Sequence, residues 1–124
     1  MDDGQKKSNA FDIEFKLNLP IPSLADMLEW LRREFPLEPR RIRTMTYSEA
    51  IRYFVEESPQ EAQRGVMLRE RHSGGQLFTQ VFLDGENQVV RSKDGRVRGR
   101  QLIIRQFDPE LTTCFGDKDL VVVE

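Results

Sequence analysis

The chain of 124 residues holds a single cysteine, Cys114, and a single histidine, His72. One thiol closes no intrachain disulfide, and one Cys with one His cannot furnish any of the common zinc sites. No apolar run approaches the ~18–20 residues of a membrane-spanning helix, and residues 1–10 (MDDGQKKSNA) carry no signal-peptide core. The patterns G-x-x-x-x-G-K-[ST], G-x-G-x-x-G and H-E-x-x-H are missing, and the acidic residues lack EF-hand spacing. Internal repeats and low-complexity segments are missing too. These absences lead to the expectation of a cytoplasmic chain that has no membrane partner, cofactor or metal.

What is present suffices for a folded domain. Hydrophobic residues make up 38% and charged residues 32%, with eleven aromatics (one Trp, two Tyr, eight Phe) spread along the chain. This length fits one domain. The expected organisation is a disordered segment over residues 1–10 and a single α+β domain over 11–124.

A net charge of −2 hides a gradient. Residues 32–52 carry a local excess of +3, residues 91–105 an excess of +5, and residues 108–124 a deficit of −4. Fourteen of the nineteen basic residues are Arg. The planar Arg fork suits carboxylate, phosphate or aromatic partners, although a GC-rich genome produces the same bias with no function behind it.

Period and punctuation place the elements. Residues 11–19 alternate strictly, with Phe11, Ile13, Phe15, Leu17 and Leu19 on one side and Asp12, Glu14, Lys16 and Asn18 on the other, the pattern of a half-buried strand. Pro20 and Pro22 end it. Ser23 with Asp26 resembles a capping box, and Leu24, Met27, Leu28, Leu31 and Phe35 form one helical stripe with Trp30 off it. After Pro36 and Pro39, residues 40–45 read as a basic connector or a short strand. Thr46 with Glu49 caps a second helix, whose stripe is Tyr47, Ala50, Ile51, Phe54 and Val55, with Tyr53 off it. From Gln63 the pattern turns to β: residues 64–72, 76–84, 88–91 and 97–107, separated by Gly74-Gly75, Asp84-Gly85 and Asp94-Gly95, predict a four-stranded antiparallel meander. Asp108-Pro109-Glu110 opens a short helix that Gly116 closes. The apolar run 120–123 predicts a strand buried on both faces, interior or tucked under a helix. The expected fold is α+β: an antiparallel sheet, made of the meander plus N- and C-terminal strands, packed against two amphipathic helices and one short C-terminal helix.

With Gly74-Gly75 as the hairpin loop, Val66, Leu68, Glu70 and His72 share one face with Leu83, Val81, Thr79 and Leu77. The other face carries Met67, Arg69, Arg71, Phe78, Gln80 and Phe82. Arg stems lying over Phe rings would make an amphipathic surface for a protein or polyanion. The competing reading has the helices covering Met67, Phe78 and Phe82, with the Arg residues at the rim.

Three function classes follow. The leading one is a non-enzymatic interaction module, a protein-binding adaptor or regulatory subunit that also has scope for self-association. Its contact residues would be Met67, Arg69, Arg71, Phe78, Phe82, Trp30 and Tyr53, types enriched at interface cores. The second is nucleic-acid or other polyanion binding through Arg96, Arg98 and Arg100 of the basic hairpin 91–105, joined by Arg40, Arg41 and Arg43. A pI near 5.5 and the lack of RNA- or DNA-binding signatures weigh against it. The third is a small enzyme using Cys114 and His72, for which no third orienting group is evident.

Overall fold

The computed structural model of the protein describes residues 24–35 and 38–123. The strand expected over 11–19, the disorder expected over 1–10 and the cap expected at Ser23 lie outside the described residues. In chain order the elements are α1 (Leu24–Glu34), β1 (Arg40–Met45), α2 (Tyr47–Glu56), β2 (Arg64–His72), β3 (Gly75–Leu83), β4 (Gly99–Phe107), α3 (Pro109–Phe115) and β5 (Leu120–Val123).

Local chemistry sets the helix ends. The Thr46 hydroxyl accepts the Glu49 amide at 3.0 Å while the Glu49 side chain reaches back to the Thr46 amide, a complete capping box. Asp108 caps α3 with Pro109 next, and Gly116 ends it at φ 59°. The Asp108 carboxylate serves two helices at once. It accepts the Leu111 amide at 2.8 Å and the Tyr47 amide at 3.2 Å, so one anion sits at the N-termini of α2 and α3.

The five strands form one sheet in the order β1-β4-β3-β2-β5. The sheet is mixed, which corrects the antiparallel expectation. β1 runs parallel to β4, with Arg40 opposite Leu102 and Ile42 opposite Ile104, whereas β2, β3, β4 and β5 pair antiparallel. Residues 40–45 are therefore a strand, not a connector. The meander has three strands rather than four, because residues 88–91 contribute only isolated bridges, Leu83 to Val89 and Arg91 to Val97. The Asp84 and Asp94 side chains hold this excursion together. Asp84 accepts the Glu86 and Gln88 amides at 2.9 Å, and Asp94 accepts the Arg96 amide at 3.2 Å.

The hairpin register is also two residues from the expected one. The turn is Ser73-Gly74, His72 faces Gly75, and Val66 faces Val81 rather than Leu83. Gly75, at φ 155°, lies so close to β4 that a Cβ there would meet the Ile104 carbonyl at 2.3 Å, so it is absorbed into the strand. A slip of two keeps every side chain on its expected face, since the period of a strand is two.

Both faces of the sheet are covered. α2 and α3 lie on one, packing Ala50, Phe54, Leu111 and Phe115 against Met67, Phe78, Phe82, Leu102, Ile104 and Val121. α1 lies on the other, where Leu31 and Val97 of the 84–98 excursion meet Val66, Leu68, Val81, Leu83, Leu120 and Val122, while Val90 of that excursion joins the first cluster. Burying Leu31 alone is worth about 1.5–3 kcal/mol. β5 is buried on both faces as its apolar run predicts, and stands at the end of the described sheet with α3 packed over Val121. Val55 departs from the expected stripe: it is 72% exposed. At 100° per residue it falls about 120° from the centre of the buried arc, while Tyr53 falls about 80° away and packs at its edge. Among the described residues no helix is long and apolar enough to cross a membrane.

Candidate functional site

The expected contact face divides between core and rim. Met67 and Phe78 are fully buried and Phe82 is 2% exposed, all three under α2 and α3. This corrects the reading of them as an exposed surface: two helices already occupy the apolar area that a partner would have to touch. Arg69 is a clamp. Its Nε donates to Asp119 at 3.0 Å, its Nη2 donates to the Gly116 carbonyl at 3.0 Å, and its Cζ lies 4.7 Å from the Phe115 ring centre. It fastens the end of α3 to β2. Arg71 is exposed at the rim. Trp30 packs beside the cluster under α1, with the Arg91 guanidinium 5.6 Å from its ring and Arg91 paired to Glu34 at 3.1 Å.

The six arginines of the polyanion reading do not form one surface. Arg96 pairs with Asp94 at 3.6 Å on the 92–96 turn, where hydrogen bonds from the Ser92 hydroxyl and the Arg96 amide lower the Asp94 pKa. Arg98 donates to the Glu57 carbonyl at 3.4 Å. Strand alternation sends Arg40 to the α2/α3 face, and Arg41 and Arg43 to the α1 face. Arg105 is missing from that expected set, yet β1–β4 pairing brings it beside Arg43, because Ile42 faces Ile104 and Thr44 faces Gln106. Arg41, Arg43 and Arg105 line a depression of about 500 Å³ with Ile103 at its floor and Gly74 at its rim. Its signal in the sequence was the alternation of Arg41 and Arg43 alone, and the parallel pairing that brings Arg105 beside them was invisible there.

β1 is also an edge of the sheet formed by the described residues. Arg40, Arg41, Arg43 and Thr44 are exposed, and among the described residues nothing pairs with the strand's outer side. Among those residues Arg40, Arg41, Arg43 and Arg105 form no ion pair.

A second group lies between α2 and β1 on the opposite face. Gln80 is fully buried in β3; its Nε2 donates to the Ala50 carbonyl at 2.9 Å, and its Oε1 accepts Arg100 Nε at 2.7 Å. The Arg100 guanidinium lies 4.1 Å from the centre of the Tyr53 ring. Burial raises the Tyr53 pKa against the opposing pull of Arg100, and burial lowers that of Arg100. Gln80 was not singled out by its sequence; its only signal is an amide on the face that also carries Phe78 and Phe82.

Cys114 and His72 are not brought together. Cys114 belongs to α3 and packs with the α2/α3 cluster, whereas alternation along β2 places His72 on the α1 face. His72 is exposed, its Nδ1 3.0 Å from the Ser73 carbonyl oxygen. Among the described residues no group of three or more His, Cys, Asp or Glu side chains is placed to hold a metal ion. No protein-family model, no curated protein and no solved structure matches the chain.

Proposed function

We propose that this chain is a non-enzymatic interaction module that takes an acidic, extended segment of a protein partner as an added strand on β1. The observation that carries this reading is an exposed edge strand bearing Arg40, Arg41 and Arg43, none of them paired with a carboxylate among the described residues. An edge strand offers a row of main-chain donors and acceptors, and side chains of an added strand alternate between the two faces. Carboxylates directed to the α1 face meet Arg41, Arg43 and, one strand further in, Arg105. Those directed to the other face meet Arg40. The same charges select against self-pairing: β1 laid beside a second β1 confronts arginine with arginine, which is unfavourable for directly opposed like charges. An acidic strand relieves that repulsion.

Steered by these charges, association accelerates at low salt and slows as salt screens them. The test is fluorescence polarisation with a dye-labelled peptide of alternating glutamate and valine. Binding that weakens with salt, falls roughly tenfold or more for Arg41→Glu/Arg43→Glu, and is lost when proline replaces the central valines is the expected result. Equal binding by the proline peptide, or indifference to the charge reversal, refutes strand addition on β1.

A further inference from the structure

The Arg100 group has a geometry that the strand-docking reading does not use. Arginine carries five N–H donors. One of them, on Nε, is committed to Gln80, whose own amide is anchored on the Ala50 carbonyl, so the guanidinium is fixed at its inner end by a fully buried side chain. Tyr53 supports one flat face of it at 4.1 Å. Tyr53 is in turn held by Phe82 and Phe54, with ring centres at 5.8 and 6.0 Å. Two terminal nitrogens remain, and among the described residues neither donates a hydrogen bond or joins an ion pair. They border a cleft of about 500 Å³ between α2 and β1.

We infer that this cleft is a carboxylate-binding site in which the Nη1/Nη2 end of Arg100 is the receptor. The fork presents two parallel N–H bonds, the arrangement that a planar carboxylate accepts in bidentate fashion. Stacking and the Gln80 hydrogen bond remove rotamer freedom in advance, so a ligand does not have to order this long side chain itself. The rest of the lining is mixed in charge. Arg40 and Arg52 add positive charge, whereas Glu49, Glu56 and Glu57 border the same cleft. Three arginines against three glutamates leave the lining balanced in charge, so net attraction favours neither anion and the planar fork matches a planar carboxylate more closely than a tetrahedral phosphate. The carboxylate belongs either to a small organic acid or to an acidic side chain of a strand on β1, since Arg40, Ile42 and Thr44 of that strand form one wall. The site stands whether or not β1 takes a strand.

Its test is NMR titration of the full chain, following the Arg100 Nε–H resonance, which the Gln80 hydrogen bond protects from exchange. The expected result is a saturable shift on adding glutarate, no comparable shift with sodium chloride at equal ionic strength, and a weaker response to inorganic phosphate. Arg100→Lys keeps the charge and loses the fork; glutarate affinity then falls about tenfold, measured by calorimetry. Tyr53→Leu removes the stacking plane and weakens binding, Tyr53→Phe preserves it, and Arg96→Gln on the distant turn has no effect. A parallel titration with the glutamate–valine peptide separates the sources. A shift of Arg100 Nε–H assigns the carboxylate to a docked strand; a response to glutarate alone assigns it to a small acid. If neither ligand moves the resonance beyond the chloride control, or phosphate binds more tightly than glutarate, the inference is overturned. Failure of the peptide to bind at all, with glutarate still binding, removes the strand-docking reading and leaves this site intact.

Discussion

Replacing Gly65 by alanine sets one methyl group against a ring that has nowhere to go. Gly65 lies in β2, and a Cβ built there meets Cδ1, Cε1 and Cγ of Phe54 at 2.5, 2.6 and 2.8 Å. Its φ lies outside the left-handed region, so alanine adopts the backbone without strain and the whole effect is steric. Phe54 is 8% exposed and wedged edge-on against Phe82, with ring centres 5.5 Å apart, and against Tyr53 at 6.0 Å. Retreat of the ring therefore means lifting α2 off the sheet. Overpacking of this kind costs about 1–3 kcal/mol. At this chain length each kcal/mol lowers the midpoint by about 3–5 °C. The assay is urea unfolding followed by Trp30 fluorescence, with thermal melts by circular dichroism alongside. A cycle adds the decisive comparison. Phe54→Leu alone leaves a void and destabilises, but in the Gly65→Ala background it vacates the space that the methyl needs, so the double variant should lose at least about 0.5 kcal/mol less than the two singles together. Gly65→Ala within about 0.5 kcal/mol of the parent, or strict additivity in the cycle, would show that α2 is not seated on β2 at this point.

Asp108→Ala removes the shared cap of α2 and α3 and should cost about 1–2 kcal/mol, while Asp108→Asn, which keeps an acceptor oxygen, costs less; equal losses in denaturant unfolding would discredit the double cap. Both tyrosines have pKa values raised by burial above the ordinary value of about 10, Tyr47 also by the nearby Cys114 and Glu110. The unfolded chain then releases its phenolic protons first, so stability is whole below that value and falls as pH rises through it toward the native values. Spectrophotometric titration should show the native phenolate signal lagging behind that of the urea-unfolded chain; coincident curves would contradict the buried environments.

The parts of the fold written in short-range chemistry were legible in the sequence. Thr46 with Glu49, Asp108 with Pro109, and Gly116 are each satisfied within one helical turn, and each performs as its spacing predicts. Strand faces were legible as well, since alternation survives the two-residue slip that Gly75 introduces. Parallel pairing of β1 with β4 was not, because the residues it joins share no local signal. For the same reason Arg105 was not grouped with Arg41 and Arg43. Met67, Phe78 and Phe82 illustrate a different limit. Both faces of β2–β3 are apolar, and one sequence does not say that helices cover both. Arg100 and Tyr53 were each noticed for a separate surface; the buried amide of Gln80 that organises them lies in a third element.

The pairing distances along the chain bear on the order in which the sheet assembles. The β2–β3 hairpin closes from His72–Gly75 outward, and β4 joins β3 across a short excursion. β1, by contrast, must find partners 62 residues away, Arg40 beside Leu102, and gains no second neighbour among the described strands when it does. Closing long loops costs entropy that is recovered only after contact, so the meander forms early and β1 docks late. Late contacts govern the unfolding rate rather than the folding rate. Amide exchange should accordingly be fastest in β1 and slowest in β2 and β3, and uniform protection across all five strands would refute that order. A strand that opens at little cost while the core stays closed can accept, exchange or release a bound segment without putting the rest of the domain at risk.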